Sequence, residues 1–129
     1  MQEIFEKIAV GDGSLFVEHL AENVTMRVSG QYSWSRTFNG KQSVLRDLFG
    51  HVRARTREPR KTIPLRFIAD GDCVVVEARG DMVTQEGVRY DNDYCLIYRL
   101  KDHKIVEITE YQDSALCERV LGKFPSPGA

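Results

Sequence analysis

Hydrophobic and polar residues alternate most regularly between Asp72 and Asp113. From Cys73 to Thr84, Val74, Val76, Ala78 and Met82 fall on one side, and Val75, Glu77, Arg79, Asp81 and Val83 on the other. A period of two in a run rich in β-branched residues predicts a strand. Gln85-Glu86-Gly87 is a polar break whose glycine tolerates positive φ. Val88 to Leu100 predicts a second strand, Lys101-Asp102-His103-Lys104 a tight turn, and Ile105 to Gln112 a third strand. Long strands joined by short turns make an antiparallel meander.

Upstream the period changes to that of helices. Met1 to Val10 places Ile4, Phe5 and Ile8 on one side, and Gly11-Asp12-Gly13 ends it. Ser14 is placed to cap a second short helix, Leu15 to Leu20. Val24 to Val28 reads as a strand, and Gly30 to Asn39 as a loop holding Tyr32, Trp34 and Phe38. Lys41 to Arg55 is a longer helix with Val44, Leu45, Leu48, Phe49 and Val52 at helical spacing. Ile63 to Ala69 is a strand, and Asp70-Gly71-Asp72 its turn into the meander. Asp113 or Ser114 caps a last helix, Ala115 to Leu121. The order is α-α-β-α-β-β-β-β, with helices packed on one side of a bent sheet around a conical cavity. One domain is expected over residues 1–122, and a flexible Pro/Gly tail over 123–129.

Composition narrows the function classes. The 129 residues support one core, and a net charge of −1 gives no basic field for nucleic acid or an anionic membrane. No apolar run is long enough to span a bilayer and no signal-peptide core is present, so the expected location is cytoplasmic. Cys73, Cys95 and Cys117 are widely spaced and read as free thiols. His19, His51 and His103 are scattered, so no metal site is expected. Arg53, Arg55, Arg57, Arg60 and Lys61 read as a solvated helix end and loop that suits the helix dipole, with anion binding as the alternative. Arg79 and Asp81 share a strand face, and the pattern leaves open whether that face meets solvent or the floor of a cup.

The pieces VGDGSLFVEHLAENVTMRV, FNGKQSVLRDLF, DCVVVEARGD, RYDNDYCLIYRL and KIVEITEYQD, in this order, resemble the nuclear transport factor 2-like superfamily. The branch they resemble is the SnoaL-like, ketosteroid-isomerase-related one. The resemblance implies an α+β fold, NTF2-like or cystatin-like: a cone-shaped, curved antiparallel sheet wrapped on helices, with a deep pocket and often dimeric through its sheet. Activities on this fold range from isomerases and cyclases to inert binding subunits, so fold alone does not give function.

Limonene-epoxide hydrolases offer the nearest motif. Arg79-Gly80-Asp81 matches their Arg-x-Asp, and Glu110 stands where their second acid falls. The polar residues that hold water in those enzymes correspond to Met26 and Val28, which have no hydrogen-bonding side chain. The three catalytic groups of ketosteroid isomerase correspond to Val28, Ile4 and Leu96. The resemblance therefore implies catalytic Arg79, Asp81 and Glu110 meeting in one cavity. Glu110 is the nearest match to the acid/base of SnoaL-like cyclases, with Asp81 and Asp113 as competitors.

It also assigns Asn92, Tyr94 and Leu96 on one strand, and Glu110 and Gln112 on the last, to the pocket face. Met26, Val28 and Trp34 complete the expected substrate-binding set. Val74, Val76, Ala78, Met82, Cys95 and Ile97 then form an opposite apolar face, expected to be covered by a second copy in a homodimer. The expected ligand is a small apolar molecule, with no cofactor, nucleic acid or membrane. The reading open at this point is cofactor-free isomerase, cyclase or dehydratase chemistry, with a non-catalytic binding protein and an epoxide hydrolase as alternatives.

Overall fold

The computed structural model describes residues 1–125. Helix α1 (Gln2–Ile8) buries Ile4 and Phe5, and Gly11 then turns the chain at φ 89°. Gly11 lies so close to the sheet that a Cβ there would sit 3.4 Å from that of Pro59. Helix α2 (Ser14–His19) starts one residue earlier than the pattern places it. Ser14 is not its cap: the Asp12 carboxylate accepts from the Ser14 backbone N–H at 3.0 Å and from its hydroxyl at 2.7 Å.

Strand β1 (Leu20–Val28) alternates as its sequence requires, with Val24, Met26 and Val28 inward. The loop after it contains a short strand, β2 (Thr37–Asn39), which the sequence does not announce. The long helical segment is built from α3 (Lys41–Ser43), a π-helical stretch (Val44–Phe49) and α4 (Gly50–Arg55).

Strand β3 (Thr56–Asp70) begins well before Ile63, so Arg57, Arg60 and Lys61 belong to a bulged strand rather than a loop. The meander follows as β4 (Cys73–Thr84), β5 (Asp93–Lys101) and β6 (Lys104–Gln112). Helix α5 (Ser114–Leu121) is capped by Asp113, whose carboxylate accepts from the Leu116 N–H at 3.1 Å.

The six strands run in the order β2-β1-β6-β5-β4-β3, an unclosed sheet curved over the helices. Every pairing is antiparallel except β1 with β6, which is parallel. Phe124 belongs to the core: it is buried and stacks edge-on with Trp34 at 5.0 Å between ring centroids. The tail therefore does not begin at Lys123. Residues 126–129 lie outside the described residues.

The structure corrects the facing of β4. Ala78 pairs with Tyr94, and Val76 with Leu96, so Val76, Ala78 and Met82 point into the cup with the inward residues of β5. Arg79 pairs with Asp93 and takes the outer face with Glu77 and Asp81. The face expected to cover a dimer thus does not exist as drawn. Its β4 members are core, while Cys95 and Ile97 lie on the other side, where a row of Ile68, Val75, Ile97 and Thr109 crosses four strands. Burial of Val76 and Met82 at roughly 1.5–3 kcal/mol each, with a smaller gain from Ala78, outweighs any gain from turning charges inward.

Candidate active site

The cone encloses a cavity of about 230 Å³. Its walls are apolar: Phe5 and Ile8 from α1, Phe16 and Val17 from α2, Leu45, Leu48, Phe49 and Val52 from the helical segment. The sheet contributes Met26, Val28, Met82, Leu96, Tyr98 and Ile108. The lining residues that are openly exposed are Gly13 and Arg53, which places the mouth between the Gly11–Gly13 loop and the junction of α4 with β3.

At the floor is a single carboxyl, that of Glu110. Register puts it between Leu96 on β5 and Val28 on β1, with Tyr94 and Tyr98 two residues to either side of Leu96. Among the described residues its carboxyl has neither a hydrogen-bond donor nor an ion-pair partner. The accessibility that Glu110 keeps faces the cavity, because its strand neighbours close it off from bulk water. Burial in apolar surroundings disfavours the charged form and pushes its pKa up to about 7.

Three tyrosines stand around it. Tyr90, Tyr94 and Tyr98 line the cavity, and burial raises all three hydroxyls above the ordinary phenol range. The charge of Glu110 adds to this at Tyr94 and Tyr98. All three are therefore neutral donors at any physiological pH. The Tyr98 hydroxyl has no hydrogen-bond partner among the described residues, and its ring is fixed edge-on by Phe5 at 6.0 Å. Cys117 closes the same end of the cavity, and burial pushes its thiol up to about 11.

A buried amide holds this wall in place. Asn92 is fully buried and donates to the Tyr90 hydroxyl at 2.9 Å and to the Gln112 side chain at 3.1 Å. Its carbonyl oxygen accepts the Asp93 and Asp113 N–H groups at 2.7 and 3.0 Å. Gln112 in turn donates to the Tyr32 hydroxyl at 2.6 Å. Burial raises the Tyr32 hydroxyl to about 12. Gly80 makes the close approach possible: a Cβ there would lie 3.3 Å from the Asn92 nitrogen and 3.3 Å from the Tyr94 ring.

Of the residues that the sequence singles out, Glu110, Tyr94, Gln112, Trp34, Met26, Val28 and Leu96 line the cavity. Asn92 does not; it stands behind the wall as a support. Arg79 and Asp81 lie on the outer face, where Arg89 binds both Asp81 and Asp91. Arg89 holds the Asp91 carboxyl below the ordinary carboxylate range. The expected Arg79-Asp81-Glu110 cluster is thus separated by the thickness of the sheet. Tyr90 and Tyr98 line the cavity but stand outside the substrate-binding set expected from the sequence. The inward parity of Tyr94 and Leu96 carried the signal for Tyr98, but Tyr90 precedes β5 and is turned inward by its own backbone bond to Met82, at 2.9 Å. Among the described residues, no group of His, Cys, Asp and Glu side chains is placed to hold a metal ion.

The model of the SnoaL-like domain family matches residues 1–108. The chain belongs to this family. Glu110, Gln112, Cys117 and α5 lie beyond the matched stretch. Among solved structures, this SnoaL-like chain is similar to an NTF2-like protein from Burkholderia pseudomallei, with 20% identity over 93% of this chain and 92% of that one and a TM-score of 0.77. A protein from Jannaschia described as a candidate SnoaL-like polyketide cyclase is 13% identical, over 96% and 90% of the two chains, with a TM-score of 0.73. TerC, crystallised with polyporic acid, is 17% identical over 91% of each chain, with a TM-score of 0.73. At these identities the likeness shows the fold, which is NTF2-like, as the sequence reading expects. No curated protein matches the chain.

Proposed function

We propose that this SnoaL-like protein is a cofactor-free acid/base catalyst acting on a small, largely apolar carbonyl compound, with Glu110 as the proton carrier. The observation that carries this reading is the lone carboxyl at the floor of an apolar cavity with its pKa at about 7. A carboxyl so poised is present as base and as acid at neutral pH, which general acid/base catalysis requires. The carboxylate takes a proton from the carbon next to the substrate carbonyl, and the electron pair moves onto the carbonyl oxygen. The Tyr98 hydroxyl, on one side of Glu110, donates to that oxygen and steadies its charge. Glu110, now protonated, returns the proton at the far carbon of a conjugated dienolate, which completes an isomerisation, or the enolate attacks a second carbonyl and Glu110 gives its proton to the alkoxide that forms, which closes a ring. The apolar flanks Val28 and Leu96 supply the desolvation that makes Glu110 a base of suitable strength.

The test is proton exchange. In D2O, the protein should introduce deuterium next to the carbonyl of a ketone probe such as 2-tetralone, with a rate that rises through about pH 7. Equal exchange by the wild type and Glu110→Gln would remove the catalytic reading. It would leave the second one, a binding protein, which is favoured by Met26 and Val28, since neither can hold a reacting water.

Assembly and location extend the proposal. Two-fold pairing through the sheet is carried by the outer row of Ile68, Val75 and Ile97, with Ile68 46% exposed. Light scattering at micromolar concentration should give a dimer for the wild type and a monomer for Ile97→Asp. A monomeric wild type removes this part. The free thiols Cys73, Cys95 and Cys117 favour a reducing, cytoplasmic setting. No helix among the described residues is long and apolar enough to cross a membrane.

A further inference from the structure

The basic stretch at the α4–β3 junction is not a solvated helix end throughout. Two of its arginines, Arg53 and Arg60, line the mouth of the cavity. Arg60 is held in place: its Nε donates to the Thr56 hydroxyl at 2.8 Å, and its Nη2 to the carbonyls of Thr56 and Arg53 at 2.8 and 3.0 Å. Thr56 is itself fully buried and anchored to the Val52 carbonyl at 2.8 Å. The Arg60 side chain is only 23% exposed, yet among the described residues Nη1 makes no hydrogen bond and its ion-pair partner is the Glu58 carboxylate at 3.8 Å, on a side chain 88% exposed. The Arg53 guanidinium has no hydrogen-bond or ion-pair partner among the described residues. Across the mouth, Asp12 is turned away to Ser14. A fixed cation with donors to spare, beside a second that is unpaired among the described residues, at the mouth of an apolar cavity is an anion site.

We propose that the ligand of this cavity is an apolar molecule carrying a carboxylate or an equally acidic oxygen group, held at the mouth by Arg53 and Arg60. This rests on the small-molecule reading of the cavity above and fixes the polarity of its occupant. The anionic end sits at the mouth and the apolar body reaches the floor, where the reacting carbon meets Glu110. Size agrees. Arg60 and Glu110 line the same cavity of about 230 Å³, so one small molecule can meet both. The pair also sets binding order: the anion is drawn to the exposed arginine first and the apolar body follows.

The experiment is calorimetric titration with 4-phenylbutyrate and its neutral analogue 4-phenylbutanamide. The acid should bind at least about tenfold more tightly than the amide, as expected for charge-assisted hydrogen bonds. Raised salt should narrow that gap. Arg53→Gln should weaken the acid several-fold, and Arg60→Gln should do so further, with the amide unchanged in both. Arg53→Gln keeps the test open if loss of the Arg60 bonds unfolds the protein, because no described contact depends on its side chain. Equal binding of acid and amide to the wild type overturns the anion site and leaves the cavity reading intact. Tighter binding of the acid that survives Arg53→Gln and Arg60→Gln also overturns it. Binding of neither probe overturns both readings together.

Discussion

The two faces of the sheet treat the same chemical group in opposite ways. On the outer face, Asp81 and Asp91 share Arg89, and the guanidinium keeps the Asp91 carboxyl well into its charged form. On the inner face, Glu110 lies between Val28 and Leu96 with no cation, and its pKa climbs to about 7. One carboxyl type becomes a permanent surface charge or a reversible proton carrier, depending on whether its neighbours are a guanidinium in water or side chains that exclude water. A strand position therefore has chemistry only once its face is known.

The largest expected effect separates the two faces by activity. Glu110→Gln should lower proton exchange by about 10²–10⁴-fold, the usual contribution of a positioned acid/base. Asp81→Asn should leave it unchanged. A comparable loss in Asp81→Asn would break the comparison and return the outer cluster to the site.

Stability against pH sharpens it next. The folded pKa of Glu110 is raised to about 7 from 4.5. Its favourable contribution is thus complete below pH 4.5 and is lost as pH rises through about 7. Above that the charged carboxyl costs roughly 3 kcal/mol, to order of magnitude. Glu110→Gln should be more stable than the wild type at pH 8 by that order, and the advantage should vanish at pH 4. Denaturant titrations that show a constant difference across this range would refute the burial argument.

A smaller effect concerns the donor beside the carboxyl. Tyr98→Phe keeps the ring that packs on Phe5 and removes only the hydroxyl. It should lower kcat about tenfold or more with KM little changed, since the bond strengthens only as charge develops on the substrate oxygen. A change confined to KM would make Tyr98 a binding residue. The smallest effect is on the outer face again: Asp81→Ala removes half of an exposed pairing and should leave the denaturation midpoint where it is, apart from a slight sensitivity to salt.

The meander was legible because alternation is local. The runs Cys73 to Thr84 and Ile105 to Gln112 declare strands by period, and the helical segment declares itself by Val44, Leu45, Leu48 and Val52. The family resemblance added the cone, and it pointed to Glu110 and Tyr94 as cavity residues. It misled at Arg79-Gly80-Asp81, where a matched motif was given more weight than the alternation beside it. Since a strand's period is two, a shift of one residue exchanges its faces entirely. Val74, Val76, Ala78 and Met82 are the more apolar set, and the register Ala78 to Tyr94 puts them inside.

Sequence alone determined the element types and the helix-then-meander order, because these follow from short-range periodicity and turn chemistry. Only the tertiary structure decided the rest. The parallel pairing of β1 with β6 brings Val28 against Glu110, and residues 82 positions apart in the chain carry no mutual pattern. The inward turn of Tyr90 depends on Gly80 letting Asn92 approach. Arg60 at the mouth is set by Thr56, whose hydroxyl accepts from it only when α4 runs into β3. A proton carrier needs its water taken away, and that condition is met by neighbours that the chain brings together from a distance.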